Sequence, residues 1–226
     1  MARKEKIDNG VMKRFARERT GRRVDTKDRR AYFLIVCEGE KTEPNYFEGL
    51  KNDLPPQSVH IEIDGQGRNT LDLVKFAIER RQRLGRKLDR TWVVFDKDDF
   101  SADSFNSAIS LANQEGINTA WSNQAFELWY VLHFHYLDAA IDRDQYNKIV
   151  ENIVREKGIK GYSYSKGDKG LYKIMKELGD ESKAINYAET LCKKYTDQRY
   201  ADHCPCTRVH LLVKELRNPE SVINDN

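Results

Sequence analysis

The feature that most constrains the fold is a rhythm. Four short runs rich in β-branched and aromatic residues, "AYFLIVC" (31–37), "VHIEI" (59–63), "TWVVF" (91–95) and "INTAW" (117–121), are each followed by a segment with helical signals. That alternation predicts parallel strands, right-handed crossovers and an open sheet with helices on both faces. Thr42 reads as the N-cap of the first helix, with Pro44 in its first turn and Tyr46, Phe47 and Leu50 on its apolar side. The second helix starts near Thr70, and the third, "SADSFNSAISLANQEG", stops at Gly116. Ser122 or Asn123 is expected to cap "QAFELWYVLHF". From about residue 140 the pattern is helical: "RDQYNKIVENIVREKG", "GLYKIMKELG", "ESKAINYAETLCKKY" and "TRVHLLVKELRN", the last capped by Thr207. The chain divides into a basic arm (1–30), an α/β core (31–140) and a helical region packed on it (141–226).

With 39% hydrophobic and 33% charged residues, the chain can build a core under a very polar surface. No apolar run approaches the roughly 20 residues that a membrane span needs. The amino terminus is charged with no apolar stretch after it, so no signal peptide is expected. Cys37, Cys192, Cys204 and Cys206 lack the spacing of a disulfide framework, which points to the cytoplasm. The net charge of +3 is uneven: residues 1–30 carry 12 Lys/Arg against 5 Asp/Glu, leaving the remainder acidic. Such an arm suits a solvated tail or phosphate contacts with nucleic acid.

In sheets of this kind ligands bind beyond the carboxyl ends of the strands. Acids stand there: Glu38 after the first strand, Asp64 after the second, Asp96 and Asp98 after the third. Residues two apart in extended chain point to one side. Two such carboxylates repel and tend to hold protons unless a cation bridges them. Mg²⁺ and similar hard cations take oxygen ligands together with phosphate oxygens, and metal-assisted phosphodiester cleavage uses that arrangement. The same acids also read as helix caps or solvated turns. Glu127 is the odd residue of an apolar helix; once buried it must pair, with a core arginine for instance, or protonate or bind metal. His133 reads as a core histidine.

Cations complete the set. Lys41 and Lys97 flank the acids, and Lys97 would point away from the aspartates if the strand continues. Arg68 sits in the "DGQGRN" loop, which lacks the phosphate-loop order. "RRQRLGRK" and "KGIKGYSYSKGDKG" are basic stretches; the second, with Tyr162, Tyr164, Lys166 and Lys169, reads as a flexible loop. Arg208 in a first helical turn opposes the helix dipole, a local cost that a bound phosphate can offset, and His210 follows it. "DHCPCTRVH" lacks the usual zinc spacing and reads as a turn at Pro205.

The order strand–Glu–Gly, then strand–Asp–x–Asp, resembles the Toprim domain of topoisomerases, primases and overcoming-lysogenization-defect nucleases. More closely, "FLIVCEGEKTEPNYF", "FDKDDF", "SNQAFELWYVLHF" and "CTRVHLLVKEL" resemble, in order and over nearly the whole chain, the RloB family of prokaryotic Toprim-like proteins. The resemblance implies a Toprim-like α/β fold, an open, mostly parallel sheet flanked by helices with a helical C-terminal portion. It also implies metal-dependent nucleic-acid cleavage in phage defence and abortive infection. Glu38 matches the Toprim glutamate, and Asp96 and Asp98 match the pair that binds Mg²⁺, or Mn²⁺ in its place. Glu43 resembles a second acid of the overcoming-lysogenization-defect nucleases, and Glu127 lies next to the implied site. The family's Ser-Asn-Pro reads Ser122-Asn123-Gln124 here. The expected partners are RNA, tRNA included, or DNA, with a regulatory ATPase or other defence-system protein and no membrane. Two alternatives stay open: a non-catalytic nucleic-acid-binding or sensor subunit, and a haloacid-dehalogenase-like phosphatase. The latter needs Asp-x-Asp after the first strand, whereas here it follows the third.

Overall fold

A computed structural model describes residues 30–55, 59–67 and 69–224. Residues 1–29 of the basic arm and Arg68 lie outside the described residues. Four parallel strands, β1 (Ala31–Cys37), β2 (Val59–Gly65), β3 (Arg90–Asp96) and β4 (Asn118–Asn123), form one sheet with β5 (Cys206–Thr207), in the order β2-β1-β3-β4-β5. Only β5 runs antiparallel, Ser122 facing Thr207 and Asn123 facing Cys206. The chain is therefore α/β with a mostly parallel sheet, as the strand–helix rhythm predicts.

The period-2 alternation of a strand sends successive side chains to opposite faces. Leu34, Val36, Val93, Phe95 and Trp121 pack on one face with α2 (Thr70–Arg83) and α3 (Ala102–Gln114). Phe33, Ile35, Cys37, Val94 and Ala120 pack on the other. That second face is covered by α1 (Thr42–Asp53) and by the later helices: α4 (Glu127–Leu132), α5 (Arg143–Glu156), α6 (Leu171–Leu178), α7 (Glu181–Cys192), α8 (Val209–Arg217) and α9 (Pro219–Asn224). Every residue of α4 is buried, which explains its unbroken apolar run. Among the described residues no helix is long and apolar enough to cross a membrane.

Several local expectations change. Thr42 does not cap α1; it is the first helical residue, and its hydroxyl donates to the Lys166 carbonyl at 3.1 Å. Ser122 and Asn123 belong to β4 rather than to a cap: the Ser122 hydroxyl meets that of Thr207 at 2.9 Å, and the Asn123 amide donates to the Ala201 carbonyl. Arg208, not Thr207, is the N-cap residue of α8, although the Thr207 hydroxyl accepts from the Val209 amide at 3.3 Å. α2 is capped by Asn69, whose side chain accepts from the Asp72 amide.

The chain reverses direction across the sheet between β1 and β3. From β1 it passes to β2 on one side, and β3 then returns to the other side. A crevice opens at the carboxyl ends of strands where such a reversal occurs. β1 and β3 end there side by side, Cys37 level with Val94.

Candidate active site

Glu38 is the first residue beyond β1. Its amide donates to the Val94 carbonyl at 2.8 Å, so the chain is still held against β3 as it leaves the sheet. Its carboxylate accepts from the Asp96 amide at 3.1 Å. The ends of the two strands are thus joined through the acid itself. Gly39 follows, and a side chain there would overlap the Glu43 carboxylate. Glu43, on the first turn of α1, is brought back over the strand end and accepts from the Gly39 backbone. The glycine of the strand–Glu–Gly order has a packing reason: it lets the second acid approach.

β3 stops at Asp96, so Asp96 and Asp98 do not share a strand face. Asp98 has φ +40°, a left-handed conformation that aspartate tolerates better than most residues. That turn brings it back to the cleft. Lys97 does not point opposite the pair across a strand; its ammonium donates to the Phe100 carbonyl and lies 3.4 Å from that of Asp98.

Glu38, Glu43, Asp96, Asp98 and Glu127 line a single cleft of about 250 Å³, together with Glu40, Lys41, Arg143 and Lys166. Asp96 is 7% exposed and Glu127 2%. Burial first, and then the neighbouring carboxylates, raise the proton affinity of three of these acids. Glu38 is pushed up to about 7 by desolvation, against the Asp96 amide, with Glu43 and Asp98 adding to the rise. Glu43 also rises to about 7, through desolvation and the field of Glu127. Asp96 is raised well above the usual carboxylate range by desolvation, then by Glu43, Glu127 and Glu38. Among the described residues Glu127 pairs with no arginine. The Tyr164 phenol donates to its carboxylate instead, and Arg143 pairs with Asp98.

The 157–170 segment is anchored rather than free. Tyr164 reaches Glu127, Tyr162 donates to Asp168 at 2.9 Å, Glu151 accepts from Ser163 and Tyr164, and Asn45 donates to the Gly167 carbonyl. Lys166 therefore lines the cleft beside Lys41, whose side chain runs past Gly167, and neither lysine makes an ion pair among the described residues. Lys169 is not among the lining residues.

Other candidates lie elsewhere. His210 is 3% exposed, its Nδ1 3.1 Å from the Thr207 carbonyl, and desolvation lowers it to about 4; it presents no accessible cation. Arg208 faces two other grooves. Asp64 remains within β2, 3.9 Å from Arg80. Arg80, Arg81, Arg83 and Arg86 of the "RRQRLGRK" stretch each pair with an acid of the domain, away from the cleft. His133 is a core residue, bonded to the Trp129 carbonyl at 2.8 Å. His203 bonds Asp197 and stacks on Tyr195, and Cys206 lies beside Cys192, so "DHCPCTRVH" gathers no metal ligands. A larger cavity, about 800 Å³, flanks the amino-terminal halves of β3 and β4, but its acids Glu181 and Glu215 are already paired with Arg217 and Arg90.

The sequence reading overlooked Arg143 and Tyr164 as partners of the acids. A signal for Arg143 was present: a cation at the first position of a helix opposes the dipole and calls for a nearby anion.

The model of the RloB-like protein family matches residues 33–216, from the first strand through most of α8. The chain belongs to the RloB-like family. No curated protein and no solved structure matches it. In this RloB-like protein the cleft acids fall on the quoted motifs: Glu38 and Glu43 on the first, Asp96 and Asp98 on the second, Glu127 on the third.

Six carboxylates line the cleft, and three of them, Glu38, Glu43 and Asp96, bind protons more tightly than usual. Among the described residues no group of three His, Cys, Asp or Glu side chains is arranged to hold an ion. Asp98 is engaged by Arg143 instead.

Proposed function

We infer that this RloB-like protein is a Mg²⁺- or Mn²⁺-dependent phosphodiesterase acting on nucleic acid, RNA (tRNA included) or DNA, in phage defence. The observation that carries the reading is the union of two strand ends, with Glu38 accepting from the Asp96 amide at the crevice where the chain changes direction. Glu38, Asp96 and Asp98 would hold the cation, with Glu43 and Glu127 behind them. A bound cation would supply charge neutralisation at the phosphate and a more acidic water. In hydrolysis a water oxygen bonds to phosphorus, the bond to the leaving sugar oxygen breaks, and the water proton ends on that oxygen. Glu38 and Glu43 both titrate near neutrality and suit the handling of that proton. Lys41 and Lys166, which make no ion pair among the described residues, line the cleft, where a phosphate backbone would lie. A restraining ATPase or other defence-system partner belongs to the same reading.

The test is cleavage of total RNA and plasmid DNA by the purified protein and by Asp96→Asn, with Mg²⁺, Mn²⁺ or chelator. Metal-dependent products that vanish in a folded variant are expected. Full activity in Asp96→Asn removes the acid cluster from the reaction. The ion pair on Asp98 favours one second reading, a non-catalytic nucleic-acid-binding or sensor subunit in which that acid is held by Arg143. Salt-sensitive binding without product or metal dependence would favour that reading.

A further inference from the structure

Two thiols meet where the last strand joins the sheet. Cys192 ends α7 and Cys206 opens β5, and their sulfurs lie 3.1 Å apart, so that one S–H donates to the other sulfur. Cys192 has a second partner in the Thr207 carbonyl, 3.4 Å away. Access differs between the two. Cys206 is 1% exposed, whereas Cys192 is half-buried and faces a groove of about 290 Å³ walled by Tyr195, His203 and Arg208. The bond from Cys206 holds the Cys192 thiol below its ordinary value; desolvation opposes this and the Arg208 charge aids it. The same bond, with burial, pushes Cys206 up. The pair is asymmetric: a reachable sulfur favoured as thiolate stands beside a buried one that keeps its proton. Cys37 is buried in β1, and neither it nor Cys204 hydrogen-bonds another sulfur among the described residues.

We propose that Cys192 and Cys206 are a peroxide-reactive dithiol that closes reversibly to a disulfide and fastens the end of α7 to the edge strand β5. The Cys192 thiolate attacks one oxygen of a peroxide; the S–O bond forms, the O–O bond breaks, and the leaving oxygen takes a proton as water, or as an alcohol from an alkyl peroxide. Cys206 then loses its proton and its sulfur attacks that of Cys192; the S–S bond forms, the S–O bond breaks, and water leaves. Two thiols are oxidised by two electrons and one peroxide is reduced. A thiol reductant reverses the step by exchange. The sulfurs must draw together by about 1 Å to reach bonding distance. The bond closes a ring of 15 residues, 192 to 206, which holds the 3₁₀ turn Tyr200–Asp202. That turn braces the end of β4: the Ala201 carbonyl accepts from the Asn123 amide at 2.8 Å, and the Ala201 amide donates to Asn106 at 3.1 Å. Oxidation would therefore stiffen the edge of the sheet that ends in Asn123.

The experiment treats the reduced full-length protein, Cys192→Ser and Cys206→Ser with hydrogen peroxide. Remaining thiols are alkylated in denaturant and the peptides are read by mass spectrometry. In the parent two of the four thiols should become protected, with one linked peptide pair joining Cys192 to Cys206 that dithiothreitol undoes. Cys206→Ser has no resolving thiol, so a sulfenic acid should persist at Cys192 and be trapped by dimedone. Cys192→Ser should leave Cys206 unoxidised. The oxidised parent should melt roughly 6–12 °C above the reduced one, as a ring of this length predicts for a chain of this size, and Cys192→Ser should show no such gap. Four free thiols after peroxide, a link through Cys204, or a link between two chains would overturn the proposal. Equal melting temperatures of a linked and a reduced parent overturn the bracing of β4. The thiol count and the link are read on the parent alone, so they decide the matter even where a variant fails to fold. No readout uses cleavage, so the result stands apart from the nuclease reading.

Discussion

Glu38→Gln should make the metal-free protein more stable at alkaline pH. In the unfolded chain Glu38 titrates near 4.5, and in the fold near 7, because burial and the neighbouring acids disfavour its charge. A carboxyl with a raised folded pKa contributes most below pH 4.5, and that contribution is lost as pH rises through 7. At 1.36 kcal/mol per pH unit the full gap is about 3 kcal/mol, and partial hydration at the cleft mouth reduces it to roughly 1–3 kcal/mol. Glutamine removes the charge and keeps an oxygen to accept from the Asp96 amide, 3.1 Å away in the parent. For a chain of this size the gain corresponds to roughly 2–10 °C in Tm. The assay is thermal unfolding of both proteins from pH 5 to 8.5 in chelator, then with Mn²⁺. The variant should lead at pH 8, match the parent near pH 5, and lose its lead when Mn²⁺ is added. A variant no more stable at pH 8, or a lead independent of pH, would refute the reasoning.

Two further outcomes are expected. Tyr164→Phe removes the phenol that donates to Glu127, leaving a carboxylate that is 2% exposed without its donor; it should lower stability by about 1–3 kcal/mol in chelator, measured by urea unfolding. His133 is buried and desolvation lowers it to about 4, so its contribution is complete above pH 6.5 and lost as pH falls through 4. The stability advantage of the parent over His133→Leu should therefore shrink by roughly 3 kcal/mol between pH 6.5 and 4, measured by urea unfolding at each pH.

The four parallel strands were legible because each is a short run rich in β-branched and aromatic residues and each is followed by helix punctuation, signals that lie within a dozen residues. β5 was not, since two residues carry no period; Cys206 and Thr207 pair with β4 only because the chain comes back across more than eighty residues. The acids could be found at strand ends, but their geometry could not. Asp-x-Asp was read in an extended chain, whereas β3 stops at Asp96 and Asp98 turns into the left-handed region. Arg208 and His210 looked like cleft cations in one dimension. Packing buries the histidine, and α8 carries the arginine to other grooves. Arg143 and Tyr164 were missed for the converse reason: their partners lie 45 and 37 residues away, and nothing local reports a contact at that range.

The acids and most of what balances them come from different parts of the chain. Glu38, Glu43, Asp96, Asp98 and Glu127 all precede Arg143, Tyr164 and Lys166. On a ribosome adding about 5–20 residues per second, the roughly 70 residues from Asp96 to Lys166 take about 4–14 s. During that interval the strand ends can pair while the pit still lacks its guanidinium, its phenol and one of its two wall lysines. The cleft is therefore completed late, and translation itself sets a delay between the birth of the sheet and the moment its site is whole.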